Sequence, residues 1–110
     1  MDHTMLTTKV KFIRGFGDKT RLQILDSIKQ EEKSVTQLMA EVEASQSSIS
    51  QHLGCLKECG LIVGRQEGKF MYYSLSSDRI KLLLDMMDEV FMEVQTGVEC
   101  CDQHFETCEG

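Results

Sequence analysis

Residues 45–60 read SQSSISQHLGCLKECG, and this stretch decides the fold. Ile49, Leu53 and Leu56 recur at helical spacing, so the segment is predicted to be a helix with one apolar face. Ser45 is a suitable N-cap, and Gly60 is suited to the position just past the C-terminus. The first half of this helix is small and polar, whereas the second half carries two cysteines four residues apart.

Three helices are predicted upstream of this segment. The first covers residues 4–16 and ends near a pair of glycines, and Asp18 then caps the second. The inner face of the second helix is expected to hold Leu22, Leu25 and Ile28. Residues 29–33 form a polar connector, and the SVTQ run at 34–37 fits a capping box that begins the third helix. A short turn at residues 44–45 joins the third helix to the fourth.

The hydrophobic period changes after residue 60. Residues 61–65 and 70–75 are predicted to be two strands of a hairpin, with Gly68 in its turn. A last helix then begins at Ser77 or Asp78. Its apolar stripe consists of Ile80, Leu83, Leu84, Met87, Phe91 and Val94, broadened by Met86 and Val90. So wide a stripe indicates that part of the helix faces a second subunit. The predicted fold is mainly α with a β-hairpin wing, a winged helix-turn-helix; a small helical domain with an incidental hairpin is the alternative.

Length, charge and hydropathy narrow the class of protein. The chain has 110 residues and no apolar run long enough to cross a membrane, and its start lacks a signal-peptide pattern, so a cytoplasmic protein is expected. The net charge is −6, yet all 12 basic residues lie in 1–84 with 10 of the 18 acidic ones. We therefore divide the chain into a winged helix-turn-helix and dimerisation domain, 1–97, and an acidic, cysteine-rich tail, 98–110.

The polar half of the fourth helix has the composition of a DNA recognition helix. Small polar side chains let the backbone enter the major groove while amides and hydroxyls reach bases and phosphates. The candidate DNA-binding residues are Ser45, Gln46, Ser47, Ser48, Ser50, Gln51 and His52, with Arg65 and Lys69 flanking the tip of the wing. The alternatives are an ordinary polar helix start, exposed wing charges without a DNA role, and a metal-ligand role for the histidine.

Cys55 and Cys59 lie one helical turn apart, which separates their Cβ atoms by about 5–6 Å. Two thiolates at that distance can share one metal ion, and a cysteine from the tail would complete a three-sulfur site. Such sites suit soft ions such as Cd(II), Pb(II) or As(III) better than Zn(II), which prefers four ligands. The tail candidates are Cys100 and Cys101, with Cys108 a weaker one. The alternative is that the helix pair consists of small buried hydrophobic residues.

Over residues 10–94 the chain resembles the ArsR/SmtB family of metalloregulatory repressors. The resemblance rests on the segments DKTRLQILDSI, SQSSISQHLGCLKECGLI and GRQEGKFMYYSL. It implies a homodimer built through its first and last helices, which binds double-stranded operator DNA and leaves it when an effector binds. The HLGCLKECG segment is similar to the CmtR-type Cd(II)/Pb(II) sensors. That similarity implies that Cys55, Cys59 and a tail cysteine, best matched by Cys100 or Cys101, are the ligands.

Three other functions stay open from the sequence. The tail cysteines also resemble those of arsenic-responsive members, so an arsenite- or antimonite-responsive repressor is one alternative. A repressor that responds to thiol oxidation or persulfide is a second. An enzyme is the third and is disfavoured, because no cysteine is accompanied in the sequence by a base and an orienting group.

Overall fold

A computed structural model of the chain describes residues 2–108, and it describes their side chains as far as residue 95. Five helices and three short strands follow one another along the chain. They are α1 (His3–Arg14), α2 (Lys19–Ile28), β1 (Lys33–Ser34), α3 (Val35–Glu41), α4 (Gln46–Glu58), β2 (Ile62–Glu67), β3 (Phe70–Leu75) and α5 (Asp78–Cys108). This order, with its helix-turn-helix and hairpin, confirms the winged helix-turn-helix prediction.

The helix starts predicted from the sequence are confirmed by their hydrogen bonds. The Asp18 carboxylate accepts the N–H of Arg21 at 3.1 Å. Ser34 and Gln37 form the reciprocal capping box at the start of α3. Ser45 Oγ accepts the N–H of Ser48 at 3.1 Å, so it caps α4. Each cap satisfies backbone donors that the first turn of a helix leaves without an intrahelical partner.

The end of α4 is a Schellman motif built on Gly60. This glycine has a φ of +80°, the left-handed conformation that side chains disfavour. Its N–H donates to the carbonyl of Lys57, and the N–H of Leu61 donates to the carbonyl of Leu56, each at 3.0 Å. The chain therefore turns sharply out of α4 and directly into the wing.

The sheet has three antiparallel strands in the order β1-β3-β2, one more than the predicted hairpin. Lys33 pairs with Tyr73 and Ser34 with Tyr72, so the segment predicted to be only a connector contributes a short strand. Two residues are too few to show a period, which is why the sequence did not reveal β1. Glu67 and Phe70 are the last paired residues before the turn of the hairpin. Gly68 in that turn has a φ of +63°, as in a type II′ turn.

The core lies between α2, α3, α4 and the bases of the wing and α5. Its buried side chains are Ile24, Leu25, Ile28, Leu38, Val42, Ile49, Leu53, Leu56, Leu61, Ile62, Ile80 and Leu84. The predicted inner face of α4 is confirmed in full. The expectation for α2 was wrong at Leu22, which is 42% exposed while Ile24 is buried. Leu22 instead lines a groove towards α5, with Met87 and Phe91.

Two helices contribute little to this core. α1 has no buried residue, and its Met5, Leu6, Val10 and Ile13 are all exposed. α5 continues past Gly97, where the sequence predicted the tail to begin, and ends at Cys108. None of the described helices combines the length and the hydropathy that crossing a membrane requires.

Candidate nucleic-acid interface and thiol pocket

The first two turns of α4 present a polar, accessible surface. Five of the predicted DNA-binding side chains are exposed there, and Ser48 and His52 are half-buried. The exposed ones are Ser45, Gln46, Ser47, Ser50 and Gln51. The first intrahelical bond runs from the N–H of Ile49 to the carbonyl of Ser45, so the N–H groups that precede it face the helix N-terminus. A helix N-terminus of this kind binds phosphate well.

His52 differs from the other predicted DNA-binding residues because it contacts α2. Its Nδ1 lies 3.4 Å from Arg21 Nη1, and its Nε2 lies 3.8 Å from Asp18 Oδ2. Only 21% of the side chain is exposed. The pKa of Asp18 is lowered, chiefly because its carboxylate accepts the Arg21 N–H, and the nearby His52 acts in the same direction. His52 thus helps to seat α4 against the start of α2.

The two predicted wing residues are in different surroundings. Arg65 hydrogen-bonds both carboxylate oxygens of Glu32, lies 3.2 Å from a Glu67 oxygen, and stacks with its guanidinium carbon 5.3 Å from the Tyr72 ring centre. These hydrogen bonds lower the pKa of Glu32 and raise that of Arg65. Lys69 is exposed at the turn of the hairpin. Arg65 must therefore exchange two carboxylate partners before it can hold a phosphate.

The two cysteines of α4 line one surface pocket of about 190 Å³. We call it the thiol pocket; its walls are Lys11 and Arg14 of α1, the adjoining Gly15, Arg21 of α2, Cys55 and Glu58 of α4, and Cys59, the C-cap of α4. Cys55 is exposed, whereas Cys59 is half-buried and its thiol donates to the Lys11 carbonyl at 3.4 Å. Cys55 is thus accessible and Cys59 only in part, so the hypothesis that both are buried hydrophobic residues does not apply.

Arg21 connects this pocket to its surroundings. Its Nη2 donates to the carbonyl of Arg14 at 2.9 Å and its Nη1 lies 3.4 Å from His52 Nδ1, while its Nε is buried and has no hydrogen-bond partner among the described side chains. One guanidinium therefore joins α1, α2 and α4 at the wall of the thiol pocket. Sequence patterns did not single out Arg21, because its role depends on residues 7 and 31 positions away.

The structure brings two of the five predicted metal ligands together. Among the described side chains, no three His, Cys, Asp or Glu residues gather closely enough to hold a metal ion. The predicted tail ligands, Cys100, Cys101 and Cys108, lie outside the residues whose side chains are described. The donor chemistry of the helix pair fits a soft ion, and a third thiolate would have to come from the tail.

Proteins that resemble this chain in sequence are regulators of transcription. The profile of the bacterial regulatory protein arsR family matches residues 18–63. The transcriptional activator HlyU of Vibrio cholerae is 33% identical over 84 residues, 76% of this chain and 78% of HlyU. The regulator CmtR of Mycobacterium tuberculosis is 32% identical over 87 residues, 79% of this chain and 74% of CmtR.

The fold agrees with these relationships. The homodimeric winged helix-turn-helix DNA-binding domain of Mb0332 from Mycobacterium bovis superimposes with a TM-score of 0.76 at 27% identity, over 82% of this chain and 83% of that domain. Matching sequence relatives and a matching fold both point to a DNA-binding protein and not to an enzyme. The chain belongs to the arsR family of DNA-binding transcriptional regulators.

Proposed function

We propose that the chain is a cytoplasmic, metal-responsive repressor that binds operator DNA as a homodimer and is released when Cd(II) or Pb(II) binds its cysteines. One observation carries this proposal. The thiol pair occupies the last turns of α4, the same rigid helix whose first turns present the exposed polar surface. A change at the thiols therefore acts on the element that would enter the major groove.

The surroundings of the thiol pair support binding of a thiolate–metal complex. A divalent ion with three thiolates carries a net charge of about −1. Lys11, Arg14 and Arg21 bring three positive charges to the pocket walls, against the single negative charge of Glu58. These cations would balance the charge of the complex. Cys55, Cys59 and one of the tail residues Cys100 and Cys101 are the proposed ligands, with Cys108 a further candidate.

The exposed apolar surfaces of α1 and α5 support a homodimer. Large apolar side chains on α5 that are at least 37% exposed include Leu82, Leu83, Met86, Val90, Phe91, Met92 and Val94. Together with the exposed face of α1, they form an apolar surface of the kind that soluble proteins bury in an interface. The Mycobacterium bovis domain, with the same fold, is a homodimer.

Two recognition helices of such a dimer would enter successive major grooves of the operator, about 34 Å apart. Ser45, Gln46, Ser47, Ser48, Ser50 and Gln51 are the proposed contacts to bases and phosphates, with His52 adjoining them. Arg65 and Lys69 of the wing would add phosphate or minor-groove contacts. Backbone contacts of this kind dominate affinity, so binding should weaken steeply as salt is raised.

The test is an equilibrium titration of the reduced protein with fluorescent duplex DNA, selected in vitro with metal-free protein. The titration is run anaerobically with and without one equivalent of Cd(II) or Pb(II). We expect the metal to lower DNA affinity about 100-fold, which corresponds to a coupling free energy of about 2.7 kcal/mol. Sulfur-to-metal charge transfer in the ultraviolet reports occupancy of the site in the same samples.

Two variants separate the metal site from the DNA surface. Cys55→Ser/Cys59→Ser should bind the duplex as the wild type does but lose both the absorption band and the response to metal. Ser47→Ala/Gln51→Ala should lose DNA affinity and keep the absorption band. Equal DNA affinity with and without metal, at full occupancy of the site, would show that metal is not the effector.

A further inference from the structure

The thiol pocket combines reactive sulfur with a surplus of positive charge. Lys11, Arg14 and Arg21 line it against one acidic residue, Glu58. The cations come from α1 and α2, and both thiols come from α4. A small molecule that enters this pocket is therefore attracted if it is an anion.

The hydrogen bonds at the pocket walls show which groups are free to hold such a molecule. The α1 carbonyls that would repel an anion are already engaged: the carbonyl of Lys11 accepts from the Cys59 thiol, and that of Arg14 accepts from Arg21. Arg21 uses both terminal nitrogens on the Arg14 carbonyl and His52. The side chains of Lys11 and Arg14 are both exposed, so they can contact the anion.

The two thiols are not equivalent. Cys59 is half-buried and its hydrogen is directed to the Lys11 carbonyl, whereas Cys55 is exposed at the pocket. An incoming electrophile therefore reaches the sulfur of Cys55 first. The volume of about 190 Å³ is below the roughly 300 Å³ of a typical ligand pocket, so the pocket is suited to one half of a small disulfide, with the other half outside.

We propose that the thiol pocket is a binding and modification site for a small disulfide that bears carboxylates, with Lys11 and Arg14 holding the carboxylate and Cys55 as the nucleophile. The thiolate of Cys55 attacks one sulfur of the disulfide. A new S–S bond forms to Cys55, the old S–S bond breaks, and the second half leaves as a thiolate with the electron pair. The thiol proton passes to water; Cys55 is oxidised and half of the reagent is reduced.

This inference goes beyond the proposed metal response, although it uses one of the same cysteines. The disulfide reaction requires neither metal nor DNA. The proposed reaction can therefore be disproved while the metal response is confirmed, and the metal response can be disproved while the reaction is confirmed. A mixed disulfide at Cys55 would place a bulky anion between α4 and the end of α1, and it would block the thiol from binding metal.

The experiment compares two aromatic disulfides on the reduced, metal-free protein. Dithiobis(nitrobenzoate) carries one carboxylate on each ring, and dithiodipyridine is neutral. The measured quantity is the rate constant for the anionic disulfide divided by the rate constant for the neutral disulfide. The reactivity of the thiol itself cancels in that ratio. We expect the ratio for the protein to exceed that of a free cysteine amide at low salt, and to fall towards it at about 1 M salt, where the Debye length is about 3 Å.

A matched pair of variants assigns the effect to the pocket. Arg14→Gln should lower the ratio about three- to tenfold, the effect of one nearby charge in a partly aqueous setting. Lys9→Gln makes the same change of charge on α1, about 140° around the helix from residue 14, and should leave the ratio within about twofold. Both residues are exposed, so neither change removes a packed side chain.

Peptide mapping by mass spectrometry locates the first adduct. We expect it on Cys55, and Cys55→Ser should abolish the fast phase while Cys59→Ser retains it. Equal rate ratios for the protein and the free cysteine amide would overturn the proposal. A first adduct on Cys59, or equal effects of Arg14→Gln and Lys9→Gln, would overturn it as well.

Discussion

At the scale of single residues, the wing arginine Arg65 is held by neighbouring carboxylates. Arg65, the only arginine of the wing, is bound by Glu32 and Glu67 and rests on the Tyr72 ring. About half of its side chain is exposed, so each ion pair contributes modestly to stability. The contact matters more for DNA binding, because a phosphate must compete with two carboxylates for the same guanidinium.

Glu32→Gln should therefore strengthen DNA binding. The substitution removes the stronger of the two negative charges that compete with phosphate and leaves Glu67 as the only carboxylate partner of Arg65 among the described residues. We expect an increase in affinity of about three- to tenfold, measured by fluorescence anisotropy at fixed salt. Glu31→Gln is the matched control, since it removes the same charge from the neighbouring, exposed residue. Equal gains from the two variants would mean that only the net charge matters.

Asp18 makes stability depend on pH. Its pKa in the folded protein lies below the ordinary value of 3.8, primarily because the carboxylate accepts the Arg21 N–H. The resulting stabilisation is full above the unfolded pKa and is lost as the pH falls through the folded pKa. Asp18→Asn keeps an effective N-cap without the titrating group. Its urea midpoint should decline less than that of the wild type between about pH 5 and about pH 2; parallel declines would contradict this.

At the scale of elements, α4 depends on backbone conformation at its two ends more than on its intrinsic helix propensity. It begins at the Ser45 cap and ends in the Schellman motif at Gly60, and Gly54 lies inside it. A Cβ added at either glycine would meet no atom within 4 Å. The two positions therefore differ in backbone conformation and not in available space.

Gly54→Ala and Gly60→Ala should have opposite effects on stability. Alanine inside a helix is favoured over glycine by about 0.5–1 kcal/mol, so Gly54→Ala should raise the free energy of unfolding by that amount. Gly60→Ala forces a side chain into the left-handed region and should lower it by about 1–2 kcal/mol. Urea denaturation of both variants measures the difference. Changes of the same sign would show that the φ of Gly60 does not control the end of α4.

At the scale of the whole molecule, the folded chain leaves two apolar faces uncovered. α1 buries none of its residues, and α5 buries only Ile80 and Leu84 among the side chains described. Most of the core comes from α2, α3 and α4, and α5 adds only Ile80 and Leu84 at its start. The uncovered faces therefore agree with a protein whose first and last helices are stabilised by a second copy.

Val10→Glu on α1 and Val90→Glu on α5 should each convert the proposed homodimer to a monomer. A charge on either face must be desolvated when the dimer forms, which opposes association. Light scattering should give the mass of one chain, 12.5 kDa, instead of twice that value. Val63→Glu on β2 is the matched control, because Val63 is 49% exposed and the two valines of the proposed interface are 43% and 45% exposed. An unchanged dimer in both interface variants would place the interface elsewhere.

The features that the sequence by itself determined are local. Asp18, Ser34 and Ser45 cap helices through hydrogen bonds to residues only three positions away, so short motifs predict them. The inner face of α4 follows from the 3.6-residue period alone. The winged helix-turn-helix was predictable for the same reason, since it is a series of such segments joined by short turns. The division at residue 97 and the metal ligands of the tail stay predictions.

Only the tertiary structure decided what surrounds these elements. The cations of the thiol pocket come from α1 and α2, and β1 exists through pairing with β3. Glu32, one of the two carboxylate partners of Arg65, comes from the loop before β1. These contacts join residues 31 to 48 positions apart in the chain. No local spacing encodes them, because they arise from how the helices pack against one shared core. The chemistry available to Cys55 is therefore set by packing, while its position on α4 is set by sequence.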